Sequence, residues 1–367
     1  MKRKKFYRGW VLGIITTLSL VGCSDNDSSE NIEDAANRND DDLETIIEKA
    51  KEEGEIASVG MPDTWANWVE TWEDLTSEYG LSHVDTDMSS AEELAKFESE
   101  GAQGTADIGD VGISFGPLAV SKGLTLPYKT SYWDEIPDWA KDEEGHWLLS
   151  YTGTIAFMTD TNNVEDAPTS WADLASGKYT VAVGDVTKAN QAQFAVLGAA
   201  IANGGDESDI QPGLDFFKDI ASSGRLSSVD ASLPNLEKGE IDVTIMWDFN
   251  ALNARDQLGA NRFEVTIPTD GSVISGYTTL INKNAPHPNS AKLAREYILS
   301  DNGQINLAKG YARPIREGVD IPEEIASKLL PDSEYQAAEP VKSNEIWDQT
   351  AIELPEMWQQ EVLVNVK

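Results

Sequence analysis

Short apolar runs alternate with amphipathic stripes along most of this chain. The run Ile241-Asp242-Val243-Thr244-Ile245-Met246 is apolar and β-branched, which predicts a buried strand. It ends in Trp247-Asp248, after which Ala251, Leu252, Ala254 and Arg255 predict a helix. Further strands are predicted over residues 55–60, 106–111, 150–160, 179–183, 263–267 and 272–282. Helices are predicted over 43–53, 91–100, 191–202, 214–221, 290–299 and 302–309, and residues 235–240 read as a turn. Leu43, Ile46, Ile47 and Ala50 share one helical face, and Gly54 ends that helix. Trp65, Trp68, Trp72, Leu75 and Tyr79 form a second stripe at spacings of three and four. Trp68 and Trp72 are therefore expected in the core, and Trp65 in the first helical turn, at the end of a strand. Asp63 reads as the N-cap of that helix, with a ligand role as the alternative.

Strands and helices in this alternation predict an α/β fold, and the length allows two lobes of ordinary size. Open α/β sheets bind ligands at the carboxyl ends of their strands. Trp247 and Asp248 fall at such an end. An aromatic face attracts cations, and a carboxylate adds a charge-assisted hydrogen bond. The plainer alternative makes Asp248 a helix cap and Trp247 a core residue.

The N-terminus reads as an export signal. Lys2, Arg3, Lys4, Lys5 and Arg8 precede an apolar stretch over residues 10–20, too short for the ~20 residues of a typical membrane span. Leu20-Val21-Gly22-Cys23 matches a bacterial lipobox, in which Cys23 carries the lipid and becomes the mature N-terminus. Residues 1–22 are thus expected to be a signal peptide, and 23–42 an acidic flexible tether. The expected location is outside the cytoplasm, anchored to the cell membrane by lipidated Cys23.

Charge changes the picture further. The chain holds 28 basic and 64 acidic residues, a net charge of -36, although five basic residues fall in the signal. Such a surface repels nucleic acid, and adaptation to a saline or alkaline medium explains it without a specific partner. Cys23 is the single cysteine, so neither an internal disulfide nor a cysteine zinc site is expected. His83, His146 and His287 are far apart in sequence, and no metal or other cofactor is expected.

Two other stretches carry candidate chemistry. Gly112-Ile113-Ser114-Phe115-Gly116 spells the G-x-S-x-G turn of serine hydrolases, between a predicted strand and helix. Pro117 lacks the N–H that would help cradle an oxyanion, and His287 sits in a Pro-His-Pro turn, so Ser114 reads better as a polar ligand contact. An extracytoplasmic serine hydrolase using Ser114 is the alternative. Thr187, Lys188 and Asn190 precede a helix and could donate to an anion, or Thr187 could simply cap that helix.

Five segments then carry a resemblance: Ser170-Trp171-Ala172-Asp173-Leu174, residues 237–242, residues 275–282, residues 284–291 and Gly310-Tyr311-Ala312-Arg313-Pro314. In this order and spacing the chain resembles extracytoplasmic solute-binding lipoproteins of ABC importers. It is most similar to the type II periplasmic-binding group, which includes ferric-ion, polyamine, aminoethylphosphonate and sugar-phosphate binders. The resemblance implies a two-lobed periplasmic-binding-protein (type II) fold with two hinge-crossing strands, near 151–157 and 270–276. Lobe 1 would span 43–153 with 276–310, lobe 2 would span 154–270, and 311–367 would pack on the lobes as a helical segment. It implies a small-molecule solute, an ABC importer permease as partner, a monomer, and no enzymatic activity. Ferric binders carry adjacent tyrosines where this chain reads Trp247-Asp248-Phe249-Asn250, which argues against iron. Trp247-Asp248 looks like the amine grip of polyamine binders. Ser114, Thr187, Asn190 and Ser275 look like the grip of aminoethylphosphonate binders. The expected ligand is a small polar, amine-bearing solute. Trp65 and Trp247 would stack on it, Asp248 would pair with its amine, and Ser114, Thr187, Asn190, Ser275 and Tyr277 would donate to its other end. A ferric-ion or sugar-phosphate binder of the same fold remains the alternative.

Overall fold

The computed structural model describes residues 41–367. The expected signal peptide, Cys23 and nearly all of the expected tether lie outside the described residues. The chain opens with strands that alternate with helices: α1 (Leu43–Glu53), β1 (Glu55–Val59), α2 (Trp68–Tyr79), β2 (Ser82–Thr86), α3 (Ser90–Glu100), β3 (Ile108–Gly112) and α4 (Phe115–Ser121). The long β4 (Trp147–Asp160) follows, then α5 (Trp171–Ser176), β5 (Val181–Ala182), α6 (Asn190–Ala202), α7 (Gln211–Ser222), α8 (Leu233–Lys238), β6 (Val243–Trp247), α9 (Asp248–Leu258) and β7 (Phe263–Thr266). The remainder is β8 (Ser272–Ile281), α10 (Pro288–Leu299), α11 (Asp301–Lys309), β9 (Arg313–Pro314), α12 (Glu323–Ala326), β10 (Ala338–Pro340) and α13 (Asn344–Glu361).

The strand order is β2-β1-β3-β8-β4-β6-β5. β1 pairs in parallel with β2 and β3, and β8 returns antiparallel to β3. β4 joins the two ends of this order. Its residues from Trp147 to Thr154 pair with β8, and those from Ile155 to Asp160 pair with β6 and β7. Every residue of β4 is buried, as expected of a strand covered on both faces.

Most predicted elements are present, and the differences have local causes. β2 was not anticipated, because Ser82-His83-Val84-Asp85-Thr86 is mostly polar and is covered on one side only. α2 begins at Trp68, after a turn in which Ala66 and Asn67 take left-handed backbone angles (φ 48° and 59°). Asp63 therefore caps no helix, and Trp65 precedes α2 instead of lying in its first turn. Residues 233–238 form α8, closed by Gly239 at φ 72°, where a turn was expected. α6 starts at Asn190 behind Ala189, so Thr187 is not its cap.

Tryptophans fill the interior. Trp68, Trp171, Trp247 and Trp347 are among the largest fully buried side chains. Trp347 packs on Phe194 of α6 at 4.8 Å and Trp358 on Phe217 of α7 at 5.3 Å, which seats α13 against these helices. Trp171 meets Phe157 and Phe216 edge-on at 5.0 and 5.5 Å, and its Nε1 donates to Gly271 O at 2.8 Å. Truncating it removes this packing and leaves the Gly271 carbonyl unpaired. Trp171→Ala should lower the unfolding free energy by about 3–5 kcal/mol in urea titrations. A loss below ~1 kcal/mol would show that the site collapses around the gap.

Candidate functional site

Three strand ends and one helix start converge on a cleft of about 410 Å³. β1 ends at Gly60, whose φ of 68° turns the chain towards Pro62 and Trp65. The Ala66–Asn67 turn holds Trp65 in place. Asn67 Nδ2 donates to Asn306 O at 2.9 Å, and Gly310 lies so close that a Cβ there would meet Ala66 C at 2.4 Å. Two left-handed non-glycine residues in succession cost about 1–3 kcal/mol each, so this turn persists because α11 and Gly310 pin it.

Beyond β2, Ser89 and Glu92 form a capping box that fixes the start of α3. One turn in, Glu93 shares the buried face of α3 with Leu94 and Phe97. Its carboxyl sits between the backbones of Gly60 and Gly109, where added Cβ atoms would lie 2.1 and 2.5 Å from its oxygens. Glu93 Oε2 accepts from the Asp110 N–H at 3.1 Å. Asp110, on β3, is 2% exposed, and Glu93 is 1% exposed.

Aromatic rings form the wall beside this pair. Trp65 Nε1 donates to the Tyr151 hydroxyl at 2.6 Å, and that hydroxyl donates to Asp110 Oδ2 at 2.7 Å. Tyr277 stacks on Tyr151 at 5.7 Å and meets Trp65 edge-on at 5.3 Å. Phe249 meets Trp65 at 5.4 Å from the other side. Asn190 and Gln191, at the start of α6, line the cleft opposite. Asn190 packs against Gly112, where a Cβ would lie 2.7 Å from its Nδ2.

Three polar groups here lack partners. Glu93 Oε1, Asp110 Oδ1 and both amide atoms of Asn190 are buried without a hydrogen bond. Burial pushes the Asp110 carboxyl up to about 8, against the lowering effects of the Tyr151 hydroxyl and the Trp68 indole. Glu93 is held well above the usual carboxylate range, first by burial and then by the Asp110 charge. No ion pair among the described residues involves either carboxyl. Lys188 is the one basic side chain among the described lining residues, and it is exposed and paired with Asp185 at 3.3 Å.

Of the residues singled out from sequence, Trp65, Asn190 and Tyr277 line this cleft together. The others do not. Trp247 has no exposed surface and packs on Phe194 at 5.6 Å, so its face is not free for a ligand. Asp248 is 1% exposed. Its Oδ1 accepts from the N–H groups of Thr154 and Phe249 at 2.9 Å each, and its Oδ2 accepts from the Tyr335 hydroxyl at 2.5 Å. This carboxylate ties α9 to β4 and to the segment after α12, and has no oxygen left for an amine. Thr187 Oγ1 donates to Asp185, Asp63 is exposed outside the cleft, and Ser275 is buried in β8 away from the lining.

Ser114 lines a separate cavity of about 340 Å³ with Phe115, Leu118, Asp348 and Ile352. His83, His146 and His287 instead bond Ser58, Thr125 and Asp107, so Ser114 has no histidine base. Sequence reasoning missed Glu93, Asp110 and Tyr151. The available signal was an acid on the apolar face of a helix and another inside an otherwise apolar strand.

These features define a class: a two-lobed α/β receptor with a polar cleft beside its crossing strands, the type II periplasmic-binding-protein fold. The chain belongs to the bacterial extracellular solute-binding protein family, whose model matches residues 103–349. Among solved structures it is similar to the periplasmic binding protein AfuA from Actinobacillus pleuropneumoniae, solved with exogenous fructose-6-phosphate. That match has a TM-score of 0.69 and 18% identity, covering 84% of this chain and 98% of the other. The ferric binding protein from Campylobacter jejuni matches with a TM-score of 0.65 and 16% identity, over 83% and 98% of the two chains. A curated relative, the sulfate-binding protein of Escherichia coli, is 26% identical over 174 residues, which are 45% of this chain and 52% of the relative. The chain thus spans about half the length of the curated relatives it matches.

Asp248→Ala leaves two buried N–H groups and a tyrosine hydroxyl unpaired, at about 1–3 kcal/mol each, so chemical denaturation should show a loss of several kcal/mol. Lost solute binding at unchanged stability would return Asp248 to the ligand site. The carboxyls of the cleft bind protons more tightly folded than unfolded. Their contribution to stability is therefore full below about pH 4 and falls as pH rises towards 8, the value to which Asp110 is pushed. Asp110→Asn should flatten part of that fall in melting curves taken across this range.

Proposed function

We propose that this protein is the solute receptor of an ABC importer, and that its solute is a small amine-bearing molecule. The observation that carries the reading is the pairing of two buried carboxyls with free oxygens, Glu93 and Asp110, with the rings of Trp65 and Tyr277 in one cleft. A carboxyl pair attracts an ammonium group, and rings offer it their electron-rich faces, worth ~0.5–2 kcal/mol depending on desolvation. Asn190, unpartnered at the opposite wall, both donates and accepts, and would fix the other end of the solute.

The lobes are assigned to 43–153 with 276–310 and to 154–270, with 311–367 packing on them. Their closure over the solute would be a population shift driven by contacts from both sides. The Asn190–Gly112 contact would belong to the closed form. The chain would be held outside the cytoplasm by a lipid on Cys23 and a tether over 23–42, working as a monomer that hands its solute to a permease. Sulfate and fructose-6-phosphate, named for its relatives, are anions. An anion beside Glu93 and Asp110 would meet like charge or would require both to be protonated, which argues for the amine.

The test is a thermal-shift panel on residues 43–367 with putrescine, spermidine, 2-aminoethylphosphonate, sulfate, fructose-6-phosphate and ferric citrate. A ligand at 100 times its Kd stabilises by about 2.7 kcal/mol, a rise of a few degrees for a protein of this size. Amine-bearing compounds should produce that rise, and Asp110→Asn should reduce it. A rise with sulfate, sugar phosphate or iron alone would overturn the amine reading.

A further inference from the structure

We propose that this cleft exchanges a proton for its solute's positive charge: the Glu93–Asp110 pair holds at least one proton while empty, and an entering ammonium group displaces it. The inference rests on the amine reading and concerns the regulation of that same site.

The geometry makes the argument before any titration is considered. Two carboxyls, 1% and 2% exposed, are coupled through one backbone N–H. Leaving both ionised without a counter-ion is strongly unfavourable at such burial. Each remedy available within the fold is visible. The Tyr151 hydroxyl reaches Asp110 Oδ2, and the Asp110 N–H reaches Glu93 Oε2. These donors reach Asp110 Oδ2 and Glu93 Oε2, while Glu93 Oε1 and Asp110 Oδ1 have no hydrogen bond at ordinary distance.

The charged and titratable neighbours supply no relief. From β2 and the residues after it come Asp85 and Asp87, both negative when ionised. His83 on β2 stacks on Trp72 at 3.9 Å and bonds Ser58, and burial lowers it to about 4, so it stays neutral. β4 and β8 present Tyr151 and Tyr277, both raised by burial and neutral. Lys188, before α6, is committed to Asp185. α2 contributes Trp68, whose uncharged indole opposes the effect of burial on Asp110 without supplying a counter-charge. A proton is therefore the counter-charge of the empty site, and the upward displacement of both carboxyls agrees with this. The unpartnered Asn190 amide, 8% exposed on the facing wall, independently marks the space between as a ligand's place. When an ammonium enters, it donates to Oε1 and Oδ1, both carboxyls ionise, and the displaced proton leaves through the cleft mouth to solvent.

Putrescine is the probe, because its amines stay protonated below about pH 9. Binding to full-length protein is followed by calorimetry from about pH 6 to 9, with proton release read by an indicator dye in weakly buffered solution. About one proton should appear per putrescine bound near pH 7, and the apparent Kd should fall about tenfold per pH unit up to about pH 8, then level off. Asp110→Asn and Glu93→Gln should bind more weakly, with less proton release and a flatter profile. Binding with a flat profile and no proton release would overturn the exchange and leave the amine reading standing. Failure of putrescine, spermidine and 2-aminoethylphosphonate to bind at any pH, while sulfate or fructose-6-phosphate binds, would overturn the amine reading and the exchange with it.

Discussion

The structure depends on one strand that is shared by two pairing systems. β4 is buried from end to end, pairs with β8 along its first half, and pairs with β6 and β7 along its second. A strand covered on all sides has little freedom, so the residues it carries become fixed references. Tyr151 is one of them, and its hydroxyl joins Trp65 to Asp110. Thr154 is another, and its N–H is where α9 is tied down through Asp248. The cleft and the anchor of α9 are thus both set out from a strand whose own position is fixed by pairing. β4 changes partner between Thr154 and Ile155, from β8 to β6.

The two acidic residues at these anchor points show how partners decide role. Asp248 and Asp110 are both almost fully buried and both accept from a tyrosine. Asp248 accepts two backbone N–H groups besides, with Arg313 lying over the tyrosine ring at 3.8 Å. Its charge is matched inside the fold. Asp110 has the Tyr151 hydroxyl, the neutral Trp68 indole nearby, no ion pair, and an oxygen without a hydrogen bond at ordinary distance. Burial raises both carboxyls, and only for Asp248 do the hydrogen bonds and the Arg313 charge together work against it. A carboxyl satisfied internally serves structure, and one left unsatisfied beside a cavity costs stability unless something outside the fold completes it.

The sequence conveyed much of this fold and less of the site. Alternating apolar runs located β1, β4, β6 and β8, because a buried strand cannot conceal its composition. Among the segments of the resemblance, three lie on α5, at the start of α10 and in the β9 region. β2 stayed hidden, since an edge strand with one covered side has no need of apolar residues. Of the residues that line the cleft, Trp65, Tyr277 and Asn190 were legible as aromatic or polar residues near strand ends and helix starts. Asp248 was legible for the same reason and proved to be turned inward. That difference is one of side-chain direction, which period and composition do not carry.

Glu93 and Asp110 escaped for a deeper reason. Each lies where a periodic reading assigns an apolar side chain: Glu93 on the face of α3 that buries Leu94 and Phe97, and Asp110 between Ile108 and Val111 of a fully buried strand. An acid at such a position reads as noise on the pattern. In physical terms it is the reverse, because a chain that places a carboxyl in its interior loses stability there unless the group has work to do. The violation of pattern sets these two carboxyls apart from the buried Trp247-Asp248 pair, whose polar atoms are matched inside the fold or packed against it. Gly60 and Gly109 support this, since both withhold a side chain where one would press on Glu93. At both positions the backbone leaves room for a buried carboxyl that any side chain there would displace.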